Sequence, residues 1–358
     1  MKKPTTGHKT INVGIIGAGG IAVNHADGVK AHGGAQVVAV ADSSAERCRA
    51  MADTYQIPKI YTDFRKLVAD PEIDAVIVGL PNYLHLPVSL AALSAGKHVL
   101  LEKPIAMNYS EAQQIVNAAR KHKRVLMPAM NMRFNKKVQT IKTLAQRGEF
   151  GEIYQVKAYW LRRSGCPRFG TWFGQKKLAG GGAILDIGVH ALDAALYLLD
   201  NWRPLSVSSA VYSKFGPRGL GEGGWGKSDI GKHQFDVEDS GIAFIRLAGG
   251  VTLTLEACWA QHAEQSNKLG LELFGTEAGA DGFAGKVFRY GKKPGEYEVV
   301  EPQDIPLRHP AASRQGHWLD VILGKDKPDV TMQQALVVQK ILDAIYKSAK
   351  TRREVRLT

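Results

Sequence analysis

A chain of 358 residues is long enough for two domains with cores of their own, at roughly 150 residues per domain. Its 44% hydrophobic and 23% charged content is ordinary for a soluble globular protein, and no stretch reaches the roughly 18 unbroken apolar residues of a membrane span. The formal charge of +13 is spread in short groups such as Lys121-His122-Lys123-Arg124, without a basic tail or a nucleic-acid module, so nucleic acid is set aside as a partner.

At the amino end, Lys2, Lys3 and Lys9 precede the apolar stretch Ile11 to Val23 as in a signal peptide, but Gly14, Gly17, Gly19 and Gly20 break that reading. From residue 10 to about 130, short β-branched runs alternate with amphipathic stretches, the pattern of βαβ units around a parallel sheet. The runs are Ile11 to Ile16, Val37 to Ala41, Ala75 to Val78, His98 to Leu101 and Val125 to Met130. Helical spacing falls at 21–32, 44–55, 86–95 and 110–122, the last with a start at Ser110-Glu111. After about 150 the texture changes to period-2 segments, Ile153 to Trp160, Leu205 to Tyr212, Gly241 to Leu247, Val251 to Cys258 and Leu269 to Gly275, which predict a mostly antiparallel sheet. One helix, Ala183 to Leu199, interrupts them, and the glycine-rich connection Phe215 to Gly231 reads as a lid, an interface arm or a mobile loop. Apolar residues at helical spacing between Gln333 and Lys350 predict a terminal helix able to pack on either domain. The expected division is a Rossmann domain over 1–133, an α+β domain over 134–330 and a carboxyl-terminal helix over 331–358. Cys48, Cys166 and Cys258 are odd in number and far apart, which suggests no disulfide framework and fits a reduced, cytoplasmic setting.

Gly17-Ala18-Gly19-Gly20-Ile21-Ala22 follows a predicted strand and opens a predicted helix, the context in which GxGxxA binds a dinucleotide. Gly17 permits the turn, Gly19 lets the backbone approach a pyrophosphate, and the helix amino terminus attracts it. Asp42, with Ser43 beside it, ends the second strand close to the offset expected of a ribose ligand. A carboxylate there accepts from both ribose hydroxyls and repels a 2′-phosphate, which favours NAD over NADP. Arg47 reads as a partner for Glu46 or Asp42, or as a cation facing such a phosphate. Leu80-Pro81-Asn82-Tyr83-Leu84-His85 lies at another strand end. Asn82 offers amide hydrogen bonds there, and His85 is either a cofactor-lining residue or a helix-start residue satisfied by backbone.

Glu102-Lys103-Pro104 follows the run His98 to Leu101, where ligands bind at the carboxyl edge of an open sheet. Lys103 is a functional cation there or a surface lysine on a turn. In Gly180-Gly181-Gly182 to Asp193, Asp186 and His190 are four apart, which stacks them on one face of a regular helix. A buried Asp beside a His holds one tautomer for general-base chemistry, and it can equally be a core hydrogen bond. No HExxH or Cys/His cluster supports a metal.

In their order and spacing, GAGGIA, Glu102-Lys103-Pro104 and the glycine-rich DxGxH helix resemble the Gfo/Idh/MocA oxidoreductases over nearly the whole chain. The resemblance implies a Rossmann domain followed by a domain on a large open sheet that serves as the interface of a homodimer or homotetramer. It places the catalytic residues at Lys103, Asp186 and His190. It places cofactor contacts at Gly17 to Ile21, Asp42, Leu80 to Asn82, His85, Glu102 and Lys103, with Arg133 a further candidate in Asn131-Met132-Arg133-Phe134.

The expected chemistry is hydride transfer between the nicotinamide and a secondary alcohol or ketone of a sugar, polyol, inositol or glycoside. His190 takes the hydroxyl proton, Asp186 orients the imidazole and Lys103 stabilises the alkoxide, unless Lys103 itself is the base. Arg162, Arg163 and Trp172 are the substrate candidates beyond these three. Trp172 can stack on a sugar ring or serve as a core residue, and the arginines hint at an anionic group or are solvated. Two alternatives remain open: a redox-neutral NAD enzyme that modifies a sugar or cleaves a glycoside, and a dinucleotide-binding regulator without chemistry.

Overall fold

The computed structural model describes residues 10–224, 228–229, 231, 234–310 and 313–357. Six strands, β1 (Ile11–Ile16), β2 (Ala35–Ala41), β3 (Lys59–Tyr61), β4 (Ala75–Val78), β5 (His98–Leu101) and β6 (Leu126–Pro128), pair in the order β3-β2-β1-β4-β5-β6. Every neighbour is parallel. Helices α1 (Gly20–His32), α2 (Ala45–Tyr55), α3 (Phe64–Ala69), α4 (His85–Ser94) and α5 (Tyr109–Lys121) make the crossovers. Parallel strands covered on both faces read as continuous apolar runs, and all four residues of β4 are buried. The strand order reverses between β1 and β4, which opens a crevice at their carboxyl ends. The cap of α5 is Asn108, whose side chain accepts from Glu111 N–H, and not the later Ser110.

The chain then forms α6 (Lys136–Gln146), β7 (Ile153–Arg162), α7 (Lys176–Ala179) and a π-turn over Ile184–Gly188 that runs into α8 (Val189–Leu199). Strands β8 (Pro204–Tyr212), β9 (Ser240–Leu247), β10 (Thr252–Cys258), β11 (Asn267–Gly275), β12 (Gly279–Asp281), β13 (Lys286–Tyr290) and β14 (Tyr297–Val300) follow. Last come α9 (Arg314–Ile322), α10 (Met332–Thr351) and β15 (Val355–Arg356). The second sheet is nine-stranded, in the order β14-β13-β12-β11-β7-β10-β9-β8-β15, antiparallel except for β7 beside β10. Its strands alternate, as β9 does with Gly241, Ala243, Ile245 and Leu247 buried. The inner face packs on α8, while Tyr154, Ile242, Tyr290, Tyr297 and Val299 stand exposed.

Short elements such as β3, α3, β12 and β15 have too few residues to display a period, and none was foreseen. The terminal helix α10 packs on β8 of the second sheet and on α5 and β6 of the first, so it braces both halves. One apolar core accordingly runs from Val13 and Ile77 through Leu192 and Leu255 to Trp318 and Ile341. The stretch Lys176–Leu199 has the length and composition to cross a membrane, yet 83% of its apolar window is buried inside the protein, as in a core helix. In the connection after β8, Gly221 O accepts from the N–H groups of Gly165 and Cys166, which pins that connection to the segment leaving β7. Lys2, Lys3 and Lys9, and residues 225–227 and 230 of the connection, lie outside the described residues.

Candidate active site

The dinucleotide turn has the shape its sequence demands. Gly17 has φ +102°, and a Cβ there would lie 2.3 Å from Gly79 O, so no other residue fits between β1 and β4. Above Gly19 and Gly20, by contrast, no atom would lie within 4 Å of an added Cβ, which leaves the amino end of α1 open to a phosphate. That helix has neither a side-chain cap nor an acidic residue in its first turn, and Ile21 is exposed beside it. Asp42 accepts from Ala18 N–H at 2.9 Å, from Ser44 N–H at 2.9 Å and from Arg47 at 2.5 Å. Burial pushes its carboxyl up, but Arg47 and the two amides more than offset this and hold it below the ordinary carboxylate range. Arg47 is therefore a partner of Asp42, and Ser43 is exposed in the turn beside it. An open helix end, a glycine without room for a side chain and an ionised ribose ligand fit a bound NAD.

Four of the expected cofactor residues face inward. The carboxylate of Glu102 receives His25 of α1 at 3.1 Å, the Lys103 N–H at 3.2 Å and Arg314 of α9 at 3.3 Å. Burial raises that carboxyl, and His25, Arg314 and Lys103 outweigh it to keep it ionised. Glu102 thus ties the turn carrying Lys103 to the dinucleotide helix. His85 is fully buried, with Nδ1 2.8 Å from Pro104 O and Nε2 2.9 Å from Leu80 O, so it clamps the Leu80-Pro81 turn to the turn after Lys103. Asn82 donates to Ala179 O at 2.7 Å and joins that turn to α7, leaving Leu80 and Pro81 half-buried on the cleft side. Arg133 lies 1% exposed, with Nε and Nη2 on the carboxylate of Asp193 and Nη1 on Asp329 O and Gln334. It is a strut between the halves, with four of its five N–H donors engaged and its side chain almost wholly buried.

The group of Lys103, Asp186 and His190 departs from the sequence expectation in one respect. Lys103 Nζ donates to Asp186 Oδ1 and to Asp186 O, both at 2.9 Å, and Trp259 Nε1 donates to Asp186 Oδ2 at 3.0 Å. Asp186 therefore does not orient His190, whose Nδ1 is buried without a partner. The cause is the π-turn: Val189 N–H reaches back to Ile184 O, five residues away, so residues four apart no longer stack as in a regular helix. Burial raises the Asp186 carboxyl, but Lys103 above all draws it below its ordinary value. Burial and the Lys103 charge together push His190 down to about 3, so its imidazole is neutral.

Sequence reasoning missed what holds this helix. Glu238 accepts from Gly182 N–H with both oxygens at 2.9 Å, from Ile184 N–H at 3.0 Å and from Tyr346 at 2.8 Å, a carboxyl at a helix amino terminus that burial pushes up despite these donors. Glycines at 181 and 182 let these partners close in, since an added Cβ would lie 2.1 Å from the Tyr346 hydroxyl and 1.9 Å from Glu238 O. The glycine run was the visible signal that something approaches there. Trp259 carried no such signal beyond its place just after β10.

Of the substrate candidates, Arg162 lies in the catalytic neighbourhood: its guanidinium stacks 4.5 Å from the Trp160 ring, and that ring lies 5.9 Å from the His190 ring. Arg163 is exposed and donates to Glu264 O, while Trp172 stacks on Phe173 at 3.8 Å. Neither is brought to Lys103 by any contact of the described residues. One group with metal-like spacing exists among them, His309, His317 and Asp326. His317 Nε2 accepts from Asp329 N–H, which leaves the proton on Nδ1 and no lone pair there for a metal.

A nucleotide crevice opening on a lysine–aspartate pair and a neutral histidine defines a dinucleotide-dependent oxidoreductase. The model of the oxidoreductase family with an NAD-binding Rossmann fold matches residues 11–130, and that of the GFO/IDH/MocA carboxyl-terminal domain matches residues 138–281. D-glucoside 3-dehydrogenase of Escherichia coli strain K12 is 32% identical over 348 residues, 97% of each chain. Levoglucosan dehydrogenase of Pseudarthrobacter phenanthrenivorans is 30% identical over 74% of this chain and 67% of its own. A solved levoglucosan dehydrogenase in complex with NADH and levoglucosan shares the fold, with a TM-score of 0.81 at 24% identity over 97% of this chain and 99% of that one. The chain belongs to the Gfo/Idh/MocA family and is an NAD(P)-dependent oxidoreductase with an NAD-binding Rossmann domain.

Proposed function

We propose that this protein moves a hydride between NAD and a secondary alcohol or ketone carbon of a sugar, polyol or glycoside. The observation that carries the reading is Lys103, fixed at the mouth of the crevice by Asp186 with one of its three N–H donors uncommitted. Relatives that act on glucosides and levoglucosan support the carbohydrate class. The bound nicotinamide supplies the hydride acceptor or donor. The free N–H of Lys103 holds the reacting oxygen and stabilises its developing charge. Neutral His190 accepts the hydroxyl proton during oxidation and returns it during reduction, in a pocket whose burial favours the uncharged ring. Asp186 keeps Lys103 in place, and Trp259 keeps Asp186 in place.

The role of Asp42 supports a preference for NAD over NADP. The exposed aromatic and aliphatic residues on the outer face of the nine-stranded sheet support a homodimer or homotetramer through that face. Three free, buried cysteines support a reduced, cytoplasmic setting. The test is a screen of sugars, inositols and glycosides with NAD and NADP, following NADH absorbance and product together. Turnover with NADH formation is expected. Product without net NADH would replace this reading with the redox-neutral one, and preference for NADP would overturn the role of Asp42.

A further inference from the structure

We propose that the sugar accepted by this site carries a carboxylate and that Arg162 binds it. This inference rests on the hydride-transfer reading and adds the chemical class of the substrate. Residues 160 and 162 are two apart on β7 and so share the face turned toward α8. Trp160 is fixed there by its Nε1, which donates to Asn267 Oδ1 at 2.9 Å on the neighbouring strand. The Arg162 guanidinium lies over the indole at 4.5 Å, and the same indole lies 5.9 Å from the His190 ring. The chain keeps space for this placement, because a Cβ on Gly165 would come within 2.3 Å of Arg162 Cδ.

What Arg162 lacks is an acceptor. Five N–H donors on a half-buried guanidinium ordinarily meet a carboxylate or carbonyl. Among the described residues Arg162 makes no hydrogen bond and no ion pair. Burial lowers its pKa, and the one carboxylate whose charge opposes this is Asp186. Both oxygens of Asp186 are already engaged, Oδ1 by Lys103 and Oδ2 by Trp259. A planar fork stacked on an indole, partly out of water and next to a catalytic histidine, matches a planar carboxylate bidentately. A phosphate monoester, at about −1.5 to −2 charge, calls for more than this one fork. Lys103 remains with the reacting oxygen, so the acid group binds apart from the carbon that exchanges the hydride.

The experiment titrates methyl glucuronide, galacturonate and gluconate, each against its neutral counterpart, into the protein saturated with NADH. In that dead-end complex an alcohol binds without being oxidised, and calorimetry reads affinity alone. At least one acid should bind about tenfold or more tightly than its neutral partner. Arg162→Gln should abolish that preference, and unchanged NADH binding certifies its fold. Arg162→Lys should retain part of the preference, since it keeps the charge and loses the fork. Equal affinity for acids and neutral sugars, or equal weakening of both by Arg162→Gln, would overturn the proposal. Initial rates with NAD separate the two readings. Turnover of neutral sugars without acid preference overturns the carboxylate site and keeps hydride transfer, whereas preferential acid binding without turnover upholds the site and overturns hydride transfer.

Discussion

Two cation–carboxylate pairs join the dinucleotide half to the helix that carries His190, and they do different work. Lys103–Asp186 spans 2.9 Å with side chains 18% and 17% exposed, and Arg133–Asp193 spans 2.5 Å with both at 1%. The second pair is sealed from the cleft, since its guanidinium is forked on Asp193, bonded to Asp329 and Gln334, and covered by the rings of Tyr197 and Trp202. The first leaves one N–H of Lys103 open at the cleft. A pair closed off from solvent in this way is a strut, and removing one partner strands a charge. A partly exposed pair with a donor to spare can receive a substrate oxygen.

That contrast is open to a direct attack. Lys103→Met should lower kcat by roughly 10²- to 10⁴-fold, the scale of a lost catalytic proton or charge contact, while costing less in urea unfolding than breaking the fully buried Arg133 pair does. Unchanged turnover would remove Lys103 from the mechanism. Arg133→Met should do the reverse, costing about 3–5 kcal/mol in urea unfolding with most of the kcat kept per folded molecule. If it instead lost activity at normal stability, Arg133 would return to the cofactor site. Trp259→Phe takes the indole N–H from Asp186 Oδ2 and leaves a buried carboxylate oxygen short of a donor. A cost of about 1–3 kcal/mol applies to such a group, and kcat should fall about tenfold with the cofactor KM unmoved.

The smallest effect per unit of pH concerns the histidines. His190 at about 3 and His98 at about 4 are held neutral by burial, well below their ordinary value in the unfolded chain. The unfolded state therefore takes up protons first as pH falls through about 6.5, and stability should decline from there toward about pH 3. The urea midpoint measured across that range reads this out, and a flat profile would contradict the neutral His190 on which the proton step depends. Activity should show no acid limb near 6.5 from His190.

Legibility followed the range of the interaction. The strands β1, β4 and β5, the GxGxxA turn and the helix carrying Asp186 and His190 each announce themselves within a dozen residues, because a periodicity or a tight turn is local. Asn108 in place of Ser110 is a miss of two residues, within the reach of the same reasoning. The partners that Glu102, His85 and Arg133 take up lie 77, 19 and 60 residues away, so no local pattern could show them.

The sequence by itself determined a dinucleotide-binding α/β half, a second half on a mostly antiparallel sheet, and Lys103, Asp186 and His190 as the residues of interest. Tertiary structure alone decided how those three are partnered. The π-turn rotates Asp186 away from His190 and toward Lys103, burial strips His190 of its proton, and Trp259 claims the second carboxylate oxygen. Residue types set what each group can do, whereas hydrogen-bond geometry and desolvation, which depend on neighbours distant in the chain, set what each one does.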